Sequence, residues 1–343
     1  MKEQKKGPAW INGWTSAKTG FVPIINTNLT FQDKLGSFRV RWGIDRMRYK
    51  VDPGLYAAGK PDTDSPVLVT ANYKLSFDTL RKNLHHINAW VLVLDTKGVN
   101  VWCAAGKGTF GTEEVVRQIR AVNLFFVVRH RTIILPQLAA PGVAAHEVTH
   151  MTGFKVVYGP VRAADLPLFL ENGLKADRAM RTVSFSLSER LAVTPIEFVN
   201  AWKIALAAFL FVFLSSYPLG DMFSWSTFFR FLPYAGAIFI GCFFVPALLP
   251  WIPGRSLAFK GWLVCIVAVI IYCLFNGNKE MENIVYLLIL PAISSFLALN
   301  YTGATPYTSL SGVKKEMKFA MPFIGFATVS GIVLHIIGLW RSI

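Results

Sequence analysis

The stretch NVWCAAGKG, residues 100–108, sets one cysteine among small residues with a lysine four positions on. A thiolate is a soft, strongly donating metal ligand. Small neighbours let a broad planar ligand come close to the backbone, so Cys103 could ligate a metal carried inside a cofactor. A buried, inert thiol explains the same residues equally well. Two other patterns compete with this one. Aligning Gly106-Lys107 on the phosphate-binding loop G-x-x-x-x-G-K-[ST] puts Val101 at the first glycine and Gly108 at the hydroxyl position. Both the tight turn and the magnesium ligand are then lost. HEVTH, residues 146–150, matches H-E-x-x-H, which on a helix would present His146 and His150 to zinc with Glu147 as base and Glu171 downstream as a third ligand. Pro141-Gly142 and Gly153 leave that helix barely two turns, and the expectation is a short solvent-facing connector.

The surroundings of these residues divide sharply. Hydrophobic residues make up 53% of the 343 and charged residues 16%, an apolar balance for a water-soluble enzyme. Residues 1–200 carry 26 basic and 16 acidic side chains, and residues 201–343 only 9 and 4. The second part reads as an all-α transmembrane domain of about five helices: 201–219, 231–251, 258–275, 283–299 and 320–340. Each approaches the roughly 20 apolar residues that cross a bilayer. Arg255 and Lys260 fall in one connection and Lys314, Lys315 and Lys318 in another, whereas the alternate connections hold Arg230 and Lys279. The positive-inside rule then puts the amino-terminal part in the cytoplasm and the carboxyl terminus outside the cell membrane. No signal peptide is expected, because residues 1–30 lack a continuous apolar run. His335 is an isolated ionisable residue within the spans, read as satisfied by packing.

Of four cysteines, Cys242, Cys265 and Cys273 fall in these spans, and Cys103 alone belongs to the amino-terminal part. A disulfide within that part is excluded, and a reducing compartment is expected. The chain contains no C-x-x-C, so it cannot hold an iron–sulfur cluster by itself.

The residues flanking the candidate site alternate between strand and helix patterns. SPVLVTA (65–71), AWVLVLDT (89–96), RTIILPQL (131–138) and FKVVYGP (154–160) read as strands; 77–86, 112–123, 144–151 and 164–172 read as helices. This rhythm predicts an α/β, Rossmann-like doubly wound parallel sheet with its ligand beyond the carboxyl ends of the strands. Asn72, the 97–108 loop, Pro141–Val143 and Gly159-Pro160 all fall on that edge. The expected organisation is an extension over 1–45, irregular and without assigned chemistry, an α/β domain over 46–185 and the transmembrane domain over 186–343.

Residues 49–81, 98–114 and 135–167 resemble the corrinoid-binding domain of the large subunit of the corrinoid iron–sulfur protein. N-V-W-C-A-A-G-K, the carboxyl-terminal membrane part and the missing cluster domain resemble its mercury-methylating branch. The resemblance implies a cobalamin-type corrinoid whose cobalt takes Cys103 as lower axial ligand. It further implies a cap of Asn100, Val101, Trp102, Ala104, Ala105, Gly106 and Lys107, and contacts from Thr70, Ser76 and Gly108. The implied activity is a membrane-anchored methyltransferase that passes a methyl group from Co(III) to mercuric ion, giving methylmercury in an anaerobe. The methyl group would come from methyltetrahydrofolate through a methyl donor enzyme, and electrons from a ferredoxin-like protein with [4Fe–4S] clusters. No nucleic-acid partner is expected. A methyl carrier of one-carbon or acetyl-CoA metabolism is the alternative within this chemistry, and an HExxH zinc protease the alternative outside it.

Overall fold

A computed structural model describes residues 8–220, 222–275, 280–301 and 310–342. It separates into two compact units, 1–183 and 184–343. Lys279, counted above among the loop charges, lies outside the described residues.

In the first unit the apolar runs form one seven-stranded sheet. In chain order the strands are β1 (Ile11–Ala17), β2 (Gly20–Ile25), β3 (Gly54–Ala58), β4 (Val67–Ala71), β5 (Ala89–Leu94), β6 (Thr132–Leu135) and β7 (Lys155–Tyr158). Their spatial order is β1-β2-β3-β5-β4-β6-β7. The four strands read from the sequence are parallel to one another. The sheet as a whole is mixed, which corrects the all-parallel expectation: β3 runs antiparallel to β5, and β1 and β2 form an antiparallel hairpin. Residues 1–45 are therefore not simply irregular. Residues 11–25 extend the sheet and α1 (Phe31–Arg41) follows them.

Both faces of the parallel core are covered, as a near-continuous apolar run requires. Val67, Val69, Leu92 and Leu94 pack towards α4 (Thr112–Ala121), α5 (Leu124–Val127) and α6 (Ala145–Thr152) through Val115, Ile119, Leu124 and Val148. Leu68, Val91, Val93 and Ile134 pack on the opposite face towards α2 (Lys74–Arg81) and α7 (Leu166–Glu171) through Phe77, Leu80, Leu166 and Phe169. One six-residue helix, α3 (Val101–Gly106), completes the unit at the carboxyl edge.

Among its described residues the second unit contains five helices long and apolar enough to cross a membrane: Trp202–Leu219, Trp225–Leu248, Leu257–Phe275, Glu280–Asn300 and Ser311–Trp340. They approach one another through small residues, as helices in lipid do. A β-carbon on Gly261 would sit 2.6 Å from the Ser294 carbonyl oxygen, and the Ser294 hydroxyl donates to the Gly261 carbonyl at 3.0 Å. The last helix starts earlier than its apolar run, so Lys314, Lys315 and Lys318 are helical rather than loop residues. Lys260 is also helical, and its Nζ donates to the Leu249 carbonyl at 2.6 Å. His335 is not isolated. It lines a cavity of about 390 Å³ with Arg230, Glu280 and Glu282.

The amino-terminal elements are fastened by buried charge. Thr30 and Asp33 form a capping box at the start of α1, and the same Asp33 carboxylate lies 2.6 Å from Lys74 Nζ and 2.8 Å from Arg81 Nη2. Asp78 completes the network at 2.7 Å from each cation. Arg81 also donates to the carbonyls of Asn26 and Asn28, at the exit of the hairpin. Burial of Asp33 favours its neutral form. The hydrogen bonds from Lys74, Thr30 and Arg81 outweigh this and hold the carboxyl well below the usual range. A depressed carboxyl pKa stabilises the fold at every pH above the unfolded value of about 4, and that contribution disappears as the pH falls through the folded value. Asp33→Asn should therefore cost on the order of 3 kcal/mol at neutral pH by leaving Arg81 and Lys74 undercompensated. Urea unfolding of the wild type and the variant at pH 7 and pH 3 checks this; the gap between them should narrow at the lower pH.

Candidate functional site

In chain order the parallel strands are first β4, then β5, β6 and β7, and in space the first lies between the second and the third. The connections therefore leave β4 and β6 in opposite directions. In sheets of this kind a crevice opens beyond the carboxyl ends of those two strands. A cavity of about 350 Å³ occupies that place, within the range of small-molecule sites. Thr70 on β4, Tyr73 and Ser76 at the start of α2, Pro136 after β6 and Gly159-Pro160 after β7 line it from the sheet side. Asn100, Val101 and Trp102 line it from α3.

Local rules make the six residues of α3 helical. Asn100 is the N-cap, and its side-chain oxygen accepts the Cys103 N–H at 2.8 Å. The helix ends at Lys107, and Gly108 follows with φ +79°, a left-handed conformation that glycine adopts without penalty. Cys103 lies one position past the cavity-lining Trp102 and is partly exposed. Burial pushes the neighbouring Tyr73 phenol up against the opposing effect of Arg46 and Arg41, with Cys103 a smaller influence in the same direction.

The remaining cap residues divide by direction. Ala104 and Ala105 are buried and pack into the core with Phe110 and Val143. Their small size serves packing: a β-carbon on Gly142 would meet the Ala105 Cα at 2.9 Å. Gly106 and Lys107 are exposed. Gly108 borders a separate shallow depression with Asp95, Lys97 and Glu113. The structure thus gathers Thr70, Ser76, Asn100, Val101 and Trp102 around one cavity, sets Cys103 beside it, and turns Ala104 through Gly108 elsewhere. Of the other segments on the sheet's carboxyl edge, Gly159-Pro160 line the cavity, whereas Pro141–Val143 brace α3 from behind.

Asn72, which the sequence places on the ligand edge without a role, is a positioning residue: it stands immediately after β4 and is 1% exposed. Its side-chain oxygen accepts from the Thr96 N–H (3.1 Å), the Thr96 hydroxyl (2.9 Å) and the Gly98 N–H (2.9 Å), and its amide donates to Asp95 at 3.1 Å. Glu114, in the first turn of α4, accepts the Asp95 N–H at 2.7 Å. The loop leading into α3 is therefore held from both sides. Its only signal in the sequence was an asparagine ending an apolar strand run.

The competing motifs dissolve in the structure. Residues 101–106 are helical, so no phosphate-cradling loop exists there. His146, Glu147 and His150 are exposed on α6, whose buried residues are Val148 and Thr152. No group of three metal-ligating side chains occurs among the described residues.

The site therefore belongs to an α/β domain with a switch-point crevice capped by a cysteine-bearing helix. Residues 44–170 match the family of the CO dehydrogenase/acetyl-CoA synthase delta subunit. The chain is 37% identical over 124 residues to the acetyl-CoA decarbonylase/synthase complex subunit gamma of Methanopyrus kandleri, covering 36% of this chain and 26% of that one. It is 35% identical over 124 residues to the corresponding subunit of Methanocaldococcus jannaschii (36% and 25%), and 34% identical over 128 residues to that of Archaeoglobus fulgidus (37% and 27%). The chain spans about a quarter of the length of these curated relatives. The cofactor of this domain is a corrinoid. The residues present suit one: an apolar crevice with few hydroxyls, and a soft sulfur donor on a braced helix beside it.

Asn72→Ala should leave the Gly98 N–H without its acceptor and remove one of two acceptors from Thr96, whose N–H still reaches the Leu94 carbonyl and whose hydroxyl still donates to the Val99 carbonyl, at a cost of about 1–3 kcal/mol. The expected result is a clearly lowered thermal midpoint and a Cys103 thiol that reacts several-fold faster with a maleimide. Unchanged Cys103 reactivity would show that Asn72 does not position α3.

Proposed function

We propose that this chain is a membrane-tethered corrinoid methyl-transfer protein in which Cys103 is the lower axial ligand of the cobalt and mercuric ion is the methyl acceptor. The observation that carries this reading is the placement of Cys103, the single thiol of the first unit, on a capped helix at the switch-point crevice. A bound corrinoid supplies a cobalt centre that accepts a methyl group when reduced and yields it to an acceptor.

The chain's own contributions follow from its residues. Thr70, Ser76 and Asn100 offer hydroxyl and amide partners within an otherwise apolar wall, which fixes orientation. Cys103 would be the residue that holds the cobalt of a bound corrinoid, and a sulfur donor there would favour release of the methyl group with its bonding pair to a soft acceptor such as mercuric ion. The bracing by Asn72, Glu114 and Gly142 holds α3, and with it Cys103, in place.

A second reading shares the first half of this chemistry. The curated relatives are named as subunits of an acetyl-CoA decarbonylase/synthase complex, which favours a carrier that hands methyl groups to a protein-bound acceptor. Both readings need electrons from outside, since the chain contains no C-x-x-C. We assign that role to a ferredoxin-like protein with [4Fe–4S] clusters, and the supply of methyl groups to a methyltetrahydrofolate-linked enzyme. We assign the protein to the cytoplasmic membrane with the corrinoid domain inside the cell; five described helices long and apolar enough to cross support this reading.

Cys103→Ala should still bind corrinoid, with a changed visible spectrum, and lose mercury methylation by at least a hundredfold. His146→Ala and His150→Ala should leave both unchanged. Full methylation by Cys103→Ala would remove the axial-ligand role. Retained binding with methyl transfer to a nickel or thiol acceptor, and none to mercury in the wild type, would select the carrier reading.

The topology gives a separate check. Reporter fusions after Trp340 should be active outside the cell, and those at Ile252 or Lys315 inside. A cytoplasmic carboxyl terminus would mean that the described helices do not all cross.

A further inference from the structure

Helix α1 presents two opposed faces. Asp33 and Val40 are its buried residues and face the unit. Phe31, Leu35, Phe38 and Trp42 follow at the spacing i, i+4, i+7, i+11, which stacks them on one line at about 100° per residue. All four point outward, with Phe31 78% and Phe38 60% exposed. Ile44 and Met47 prolong the apolar ridge past the helix end, also exposed. At the same angular step, Lys34 and Arg41 flank the ridge on one side and Arg39 on the other. A water-soluble surface seldom carries such a run of large apolar side chains without a use.

We infer that this ridge is a membrane-interface element that inserts into a bilayer surface containing anionic lipid. The occupant follows from shape and charge. An apolar ridge of Phe, Leu and Trp flanked by Lys and Arg is the pattern of a helix lying in the headgroup layer, where the rings enter the acyl boundary and the cations reach the phosphates. One local acid offsets part of this charge: Asp45 pairs with Arg39 at 3.2 Å, so Lys34 and Arg41 carry the positive character, while Asp33 is committed to the buried network. Residues 31–43 also lie outside the segment matched by the family, as do the five apolar helices. Two features tied to a membrane are thus additions to the shared domain. The consequence for the site is mechanical. Asp33 couples α1 to Lys74 and Arg81 of α2, whose first turn lines the crevice, so seating the ridge fixes the crevice relative to the bilayer surface.

This inference rests on the membrane reading above, and the test separates the two. The full chain, with p-benzoylphenylalanine in place of Phe38, is reconstituted into nanodiscs of phosphatidylcholine alone or mixed with phosphatidylglycerol, and irradiated. The 31–47 region is then examined for lipid adducts by mass spectrometry. Adducts should form in the anionic discs and fall about tenfold or more in the neutral discs, or when Lys34→Gln and Arg41→Gln are combined, at roughly fivefold per charge. Absence of adducts, adducts insensitive to lipid charge, or cross-links to a protein instead of lipid would each overturn the proposal. Alkaline carbonate extraction of the same chain reports the spanning helices independently. A chain released by carbonate whose ridge still labels anionic vesicles would keep the ridge and discard the spans.

Discussion

The site depends on how one buried asparagine is satisfied. Asn72 stands where β4 ends, and its side chain replaces a strand neighbour that the loop after β5 could not otherwise find. The Thr96 and Gly98 N–H groups are buried or nearly so and need acceptors, since an orphaned buried amide costs as much as a lost hydrogen bond. One carboxamide oxygen serves both, together with the Thr96 hydroxyl. That arrangement sets where the chain turns into α3, and α3 sets where Cys103 stands. A lone six-residue helix is too short to hold itself in water. Its position is imposed by Asn72 before it, by its own Asn100 cap, and by Gly142 pressed against Ala105 behind it.

Burial of charge takes the corresponding part on the other side of the crevice. Asp33, Lys74, Asp78 and Arg81 form a network that an apolar cluster of equal volume could match in stability. Its directional bonds supply what an apolar cluster lacks, a fixed orientation. Lys74 is the first residue of α2, so the network fastens the turn that carries Tyr73 and Ser76 to the cavity. The capping box at Thr30 lets the same carboxylate close α1 and face two cations. A single side chain thus joins the amino-terminal elements to the site.

The legible and the hidden parts of this fold separate by how each element is buried. β4, β5, β6 and β7 are covered on both faces, so their apolar runs mark them plainly, and the helices between them follow from period and length. β1 and β2 form an edge hairpin half open to solvent, and INGWTSA carries too few apolar residues to show a period. β3 is written GLYAA, with three of its five residues small, so burial there comes from neighbours rather than its own bulk. The α1 ridge misled in the other direction, since its aromatic residues read as irregular hydrophobicity when they in fact share one exposed face. Around the site, the small residues about Cys103 raised it as a candidate, and the family resemblance alone implied its role. The smallness of Ala104 and Ala105 suggested ligand approach where the structure uses it for helix packing. HEVTH matched a metal motif because a five-residue pattern carries no information on which way its helix faces.

A corrinoid domain of this kind can serve more than one acceptor, because its fold supplies binding while the acceptor is chosen by the groups around the metal and by what can reach it. The family match covers residues 44–170, and the segments on either side lie outside it. On the proposed reading, a sulfur donor held by α3 would favour departure of a metal-bound group with its electron pair, a mode that would suit a soft cation better than a radical or hard acceptor. The basic excess of the first unit, with 25 cationic and 14 anionic side chains over residues 1–183, repels a free dication at long range. A mercuric ion would therefore have to arrive neutralised by its own ligands, as a thiolate or chloride complex, and exchange onto the methyl group at the crevice without crossing that field as a bare charge.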